Sequence, residues 1–151
     1  MTPAEEEKIN FYSEDIEFTL PNHSIIFNWI HKTIESEAKV LRHLNYIFCS
    51  DTYLHKINVE YLNHDTFTDV ITFPYAEGKT IEGDIFISID RIRENAKSFE
   101  VEFEDELHRV MIHGTLHLLG YLDKTAEDKT QMTQKENEYL VKLYGMKLDN
   151  Q

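Results

Sequence analysis

The stretch His113-Gly114-Thr115-Leu116-His117-Leu118-Leu119-Gly120-Tyr121-Leu122-Asp123 decides how the rest of the chain is read. Leu107, Val110, Met111, Thr115 and Leu118 recur at helical spacing, which predicts a helix from about Phe103 to Leu119. Two histidines at i and i+4 leave such a helix on one face, one turn apart. Their imidazoles can converge on one ion at a metal–nitrogen distance of about 2.0–2.1 Å. Gly120 stops the helix and permits a left-handed backbone, so the returning chain can bring Asp123 to the same point. His113, His117 and Asp123 then form a three-ligand site with an open position for water, the construction of a catalytic zinc site holding one Zn2+ per chain. Leu116, Leu118 and Leu119 predict a largely buried helix, and buried histidines need partners. A shared metal satisfies both; backbone carbonyls around two core histidines would do so as well, and the spacing leaves both readings standing.

The residue after the first histidine narrows the chemistry. Zinc peptidases with a helical histidine pair carry Glu there as general base; Gly114 cannot move a proton. A metallopeptidase is therefore the weakest reading of the spacing. Glu102, Glu104, Asp105 and Glu106 precede the motif and read as a solvated acidic helix start, favourable at the positive end of the helix dipole. An iron oxygenase with two histidines and a carboxylate has the same ligand types, but both histidines on one helix point to zinc.

Working outward, Ile16, Phe18 and Leu20 alternate with Glu17 and Thr19 and predict a strand, preceded by a short apolar piece at Ile9–Phe11. Ile25, Ile26, Trp29, Ile30 and Ile34 share a helix face between about 22 and 38. Val40 to Cys49 reads as a strand, with Ser50 or Asp51 capping a short helix that carries Leu54, Ile57 and Tyr61. Asp69 to Phe73, ended by Pro74, and Ile81 to Ile89 read as two further strands around a turn at Gly78. Asp90 is placed to cap a helix to Phe99, and Thr125-x-x-Asp128 resembles a capping box opening a last helix to Tyr144. The expected architecture is α+β: one domain over residues 1–151, a small mixed four-stranded sheet packed with about five helices, and the metal motif on a buried central helix.

Composition agrees with a folded domain. The chain has 151 residues, 41% hydrophobic and 28% charged, with five Gly and three Pro. Its formal net charge of −13 repels nucleic acid at long range, so an RNA partner must be met by a local basic patch or a bound cation. Cys49, the single cysteine, sits among apolar residues and reads as core. Glu5, Glu6 and Glu7 give the N-terminus none of the features of a signal peptide. No run approaches a membrane span, and the expected location is the cytoplasm.

The motif resembles the signature of the YbeY family, bacterial metal-dependent endoribonucleases of ribosomal RNA maturation. Two further segments are similar: Thr68-Asp69-Val70-Ile71-Thr72-Phe73 to the family's Thr-Asp-Val-Leu-Ser-Phe, and Gly83-Asp84-Ile85-Phe86-Ile87-Ser88 to its Gly-Asp-Ile strand. The resemblance runs from about residue 40 to 145. It implies a zinc-dependent, single-strand-specific RNA hydrolase whose partners are single-stranded RNA, ribosomal RNA or a ribosomal subunit, with neither DNA nor a membrane. Two positions depart from the pattern. Asp123 stands where the family usually has a third histidine, which adds negative charge and leaves a bound water less acidic. Leu62 stands where the family usually has an arginine before the Thr-Asp motif, which puts nuclease activity in question and favours a second reading, a ribosome-associated binding factor with a structural metal. Asp69 and Asp84 are candidates to support the site, or simply a turn cap and a strand-edge residue. Arg109 and Lys124 are candidates for RNA contact. Arg91, Arg93 and Lys97 read as a solvated helix face. Tyr61, His64 and Tyr121 are candidates to stack on bases, with core packing the simpler role for the two tyrosines.

Overall fold

The computed structural model describes residues Lys8 to Asp149; the acidic run at Glu5–Glu7 lies outside the described residues. In chain order the elements are β1 (Ile9–Ser13), α1 (His23–Ser36), β2 (Val40–Cys49), α2 (Asp51–Leu62), β3 (Val70–Pro74), β4 (Thr80–Ser88), α3 (Ile89–Phe99), α4 (Phe103–Leu118) and α5 (Ala126–Asp149). The strands form one mixed sheet in the order β1-β2-β4-β3, and among the described residues the expected four strands and five helices are found. β1 and β4 run parallel to β2, and β3 returns antiparallel on β4.

β2 explains why the sequence did not alternate cleanly. Leu41 and Leu44 are three apart, yet both are buried, because the register with β4 shifts between Leu41 and His43. An extra residue in one strand is a β-bulge, which restores the inward phase for Leu44, Tyr46 and Phe48. One face of the sheet packs on α1 and α4, and α5 lies across those two helices, in one core that includes Trp29, Ile30, Leu107, Met111, Leu116 and Leu140. The other face packs on α2, where Cys49, Leu54, Ile57 and Ile71 form a smaller cluster with Phe73 and Phe86. Alternation thus sends Val70, Thr72, Gly83 and Ile85 toward α4, and Phe73, Asp84 and Phe86 away from it.

The first strand lies at Ile9–Ser13, not at residues 16–20. Both segments have inward apolar residues, but only the first ladders on β2. Glu14 N–H makes a last bond to the Phe48 carbonyl, and Asp15, at φ 56°, then turns the chain away. Phe18 and Leu20 still reach the core as side chains, Phe18 against the Phe48 ring at 5.0 Å between centroids. Ser50 caps α2 by accepting from Tyr53 N–H at 3.1 Å. The cap of α3 is Ser88, which accepts from Arg91 N–H at 3.1 Å; Asp90 instead accepts from Asp51 N–H. Thr125 and Asp128 bond each other's backbone N–H groups reciprocally, as a capping box requires.

The acidic start of α4 is not uniformly solvated. Glu106 is buried, with burial and the charge of Asp69 pushing its carboxyl above the ordinary value. His108 is buried beside the Trp29 ring, and burial, aided by Lys147, lowers its pKa to about 4. As pH falls below the ordinary histidine value of about 6.5, the unfolded chain takes up this proton while the folded protein does not until about pH 4. Stability should therefore fall across that window, by up to about 3 kcal/mol. Urea melts between pH 7 and pH 4 should show this loss, and His108→Leu should flatten it. A wild-type midpoint constant over that range would mean that His108 is not held neutral.

Candidate metal centre

α4 ends where its carbonyls can still be satisfied. Gly120 N–H bonds the His117 carbonyl and Tyr121 N–H bonds the Leu116 carbonyl, both at 3.0 Å, with Gly120 at φ 105°. This paired C-terminal cap requires a left-handed residue after the helix, which glycine supplies without strain. The chain reverses there and carries Asp123 back over the last turn of α4.

The reversal brings three ligand atoms together. His113 Nε2 and His117 Nε2 are 3.0 Å apart, and Asp123 Oδ2 lies 3.3 Å from each. Ligand atoms about 2.0–2.1 Å from a tetrahedral ion sit about 3.3 Å from one another, so the triangle fits a metal. The far sides of the rings support the same conclusion. His117 Nδ1 donates to the Tyr121 carbonyl at 3.0 Å, and His113 Nδ1 to Glu136 Oε2 at 2.7 Å. With both Nδ1 atoms protonated, both Nε2 lone pairs face each other and a carboxylate oxygen. Three electron-rich atoms converging this way call for a cation. Burial works against a charged His113, yet Glu136, Asp123 and Asp69 outweigh it, and its pKa is raised.

Glu136 was not legible as a site residue. It is buried on α5 and also accepts from Arg109 Nη1 at 2.8 Å, while Arg109 Nη2 donates to Asn137. Arg109 thus reaches the centre through Glu136. The signal that could have found Glu136 is its place in the apolar stripe Met132, Tyr139, Leu140 and Leu143, where a lone carboxylate needs a buried partner.

The triangle opens on a cleft of about 500 Å³ between β3, the end of α2 and the loop joining them, lined among others by Asn58, Leu62, His64, Thr66, Thr68 and Asp69. Asp69 is brought to this cleft. Its Oδ2 accepts from Asn95 at 3.2 Å, and burial raises its pKa against the lowering effect of His113. Asp84 is not brought there. It lies on the opposite face of the sheet, where Asn45 and Tyr75 donate to its carboxylate, each at 2.9 Å. Lys124 is exposed next to Asp123. Arg91 is half-buried and bridges to Asp51 at the start of α2 at 2.7 Å, so it is not part of a freely solvated face, whereas Arg93 is exposed and lies over the Phe103 ring. Tyr61 is not core: it is 69% exposed. Tyr121 is committed elsewhere, its hydroxyl donating to Glu37 at 2.6 Å. A second groove of about 540 Å³ on the other side of α2 is lined mainly by aromatic and aliphatic side chains and holds none of the ligands.

Gly114 is explained by the same geometry. A Cβ there would sit 3.0 Å from Ile85 Cγ2 and 3.2 Å from Val70 Cγ2. The position faces the sheet, so the glutamate of a zinc peptidase has no room on this helix.

The family model described as Endoribonuclease YbeY matches residues 8–144. The chain belongs to the YbeY endoribonuclease family. It is 54% identical over 134 residues to the Endoribonuclease YbeY of Amoebophilus asiaticus, covering 88% of this chain and 91% of that one. The corresponding protein of Christiangramia forsetii is 52% identical over 134 residues, covering 89% and 93%. The solution structure of TM1509 from Thermotoga maritima is similar at 28% identity and a TM-score of 0.65, over 94% of this chain and 93% of that one. Membership of the YbeY endoribonuclease family implies an RNA substrate. No helix among the described residues is long and apolar enough to cross a membrane.

Proposed function

We propose that this protein hydrolyses single-stranded RNA at one zinc ion held by His113, His117 and Asp123, and that its substrate is ribosomal RNA during ribosome maturation in the cytoplasm. The observation that carries this reading is the ligand triangle opening onto a cleft in a chain of the YbeY family. A bound zinc supplies Lewis acidity toward a phosphoryl oxygen and toward the attacking water. The chain supplies the rest. Glu136 and the Tyr121 carbonyl hold the two imidazoles in the tautomer that presents Nε2. Asp69, its pKa raised by burial, is the carboxyl suited to hold and release a proton.

Substrate contacts in the cleft are unusually free of positive charge. No lysine or arginine lines it among the described residues, and Leu62 occupies the place of the family arginine. His64 and the hydroxyls of Thr66 and Thr68 are the donors available to phosphate and ribose; the buried Asn58 spends its amide on Thr66. Lys124 beside Asp123 is the nearest cation in sequence. Tyr61 is not at this cleft: it lines the second groove, edge-on to the Phe73 ring at 6.0 Å between centroids, and the single-strand preference rests on the family resemblance.

The test is metal analysis together with RNA cleavage. Purified protein is expected to hold about one zinc per chain and to cut a single-stranded oligoribonucleotide but not its duplex. Chelation should abolish cleavage, and returning zinc should restore it. Cleavage at full rate after complete metal removal would sink the proposal.

A further inference from the structure

We propose that Glu37, at the end of α1, is a positioning residue for the metal centre: it clamps Tyr121 and thereby sets the place of the ligand Asp123. This rests on reading the triad as a metal site. Asp123 lies on the short connection between α4 and α5. The backbone bonds of the helix cap fix that connection as far as Tyr121, and side-chain capping resumes at Thr125. The position of Asp123, two residues on, therefore depends on how firmly Tyr121 is held.

Tyr121 is held at both ends. Its carbonyl accepts from His117 Nδ1 at 3.0 Å, and its hydroxyl donates to Glu37 Oε1 at 2.6 Å. Glu37 Oε2 accepts from the Tyr139 hydroxyl and from Lys135 Nζ at 3.3 Å, both on α5. Lys135 Nζ also stands 5.7 Å from the centre of the Tyr121 ring. One carboxylate thus ties the end of α1, the turn and α5 together, and the ligand loop is framed by the same residue that orients His117.

Glu37 is costly where it stands. It is the C-cap of α1, the negative end of a helix dipole, and its side chain is only 13% exposed. Burial alone would push its carboxyl up, yet the two tyrosine hydroxyls and Lys135 hold it below the ordinary value. A neutral residue would serve the helix end better. A charged acceptor that gathers three donors, one of them on the ligand turn, makes sense as a brace.

The test uses cobalt(II) as the metal probe, with affinity measured by chelator competition and coordination followed by visible absorption. Tyr121→Phe removes only the hydroxyl and leaves the carbonyl that His117 needs. It is expected to weaken cobalt binding by about 10-fold or more, in the range seen when an outer partner of a metal ligand is lost, and to change the absorption band. Glu37→Leu should do the same. The double variant should lose no more than either single one, because both act through one contact. Tyr139→Phe removes another donor to the same carboxylate without touching the turn, and should keep cobalt affinity within about twofold of the wild type, well short of the effect of losing an outer partner. Urea melts of the metal-free proteins separate stability from affinity. Equal affinity losses in Tyr121→Phe and Tyr139→Phe, or additive losses in the double variant, would overturn the clamp. So would wild-type affinity in Tyr121→Phe. A wild type that takes up no cobalt would overturn the metal reading itself and the clamp with it.

Discussion

Replacing His117 by alanine is expected to empty the metal centre and abolish RNA cleavage while leaving the fold intact. The loss should exceed the about 10–100-fold that removing an outer partner of a ligand brings, because two ligands remain of three. Those two, His113 and Asp123, lie 3.3 Å apart and would remain as an ion pair. Stability should change little. The His117 side chain is 24% exposed and sits at the cleft, outside the main core, so its removal opens solvent space and not a buried cavity. The measurement is zinc content and cleavage rate beside a urea melt. Lost metal with an unchanged melt is the expected pattern. Retained metal and retained cleavage would mean that His113 and Asp123 hold the ion with a ligand other than His117.

The histidine pair could be read from the sequence because its geometry is local: four residues on one helix fix the direction of both rings. Asp123 could be read because Gly120 announces where the helix stops. Glu136 and Glu37 could not, since each meets the site across 23 and 84 residues respectively, from His113 and to Tyr121. A glutamate on an amphipathic helix looks like a surface residue until packing shows otherwise, and only the interruption of an apolar stripe hints at it. The same limit explains the first strand. Residues 9–13 and 16–20 carry comparable apolar patterns, and the choice between them is made by pairing with β2, which no local pattern encodes. Asp84 shows a different failure. Its neighbours Gly83 and Ile85 face α4, so strand alternation sends its carboxylate to the other face, although the Gly-Asp-Ile motif is similar to the family's.

Gly114→Glu, which would restore the peptidase pattern in the sequence, is expected to prevent folding and to confer no peptidase activity. The position is a packing point between α4 and the sheet. A Cβ there meets Ile85 Cγ2 at 3.0 Å and Val70 Cγ2 at 3.2 Å, with Thr72 Cγ2 behind them at 3.5 Å. All three neighbours are β-branched and stiff at χ1, so they yield only by moving backbone. For alanine, that strain of about 1–3 kcal/mol is set against a gain of about 1 kcal/mol in helix propensity. Gly114→Ala should fold with a lowered urea midpoint. Glutamate adds a longer chain and a carboxylate pressed against apolar side chains. An unpartnered buried charge costs several kcal/mol more, and the total approaches the about 5–15 kcal/mol by which a domain is stable. Gly114→Glu should therefore show no cooperative urea transition. A folded Gly114→Glu with a wild-type midpoint would show that α4 does not rest directly on β3 and β4. The absence of a general base after His113 is, on this argument, a consequence of packing: the helix that carries the metal ligands is held against the sheet on the very face a peptidase needs open.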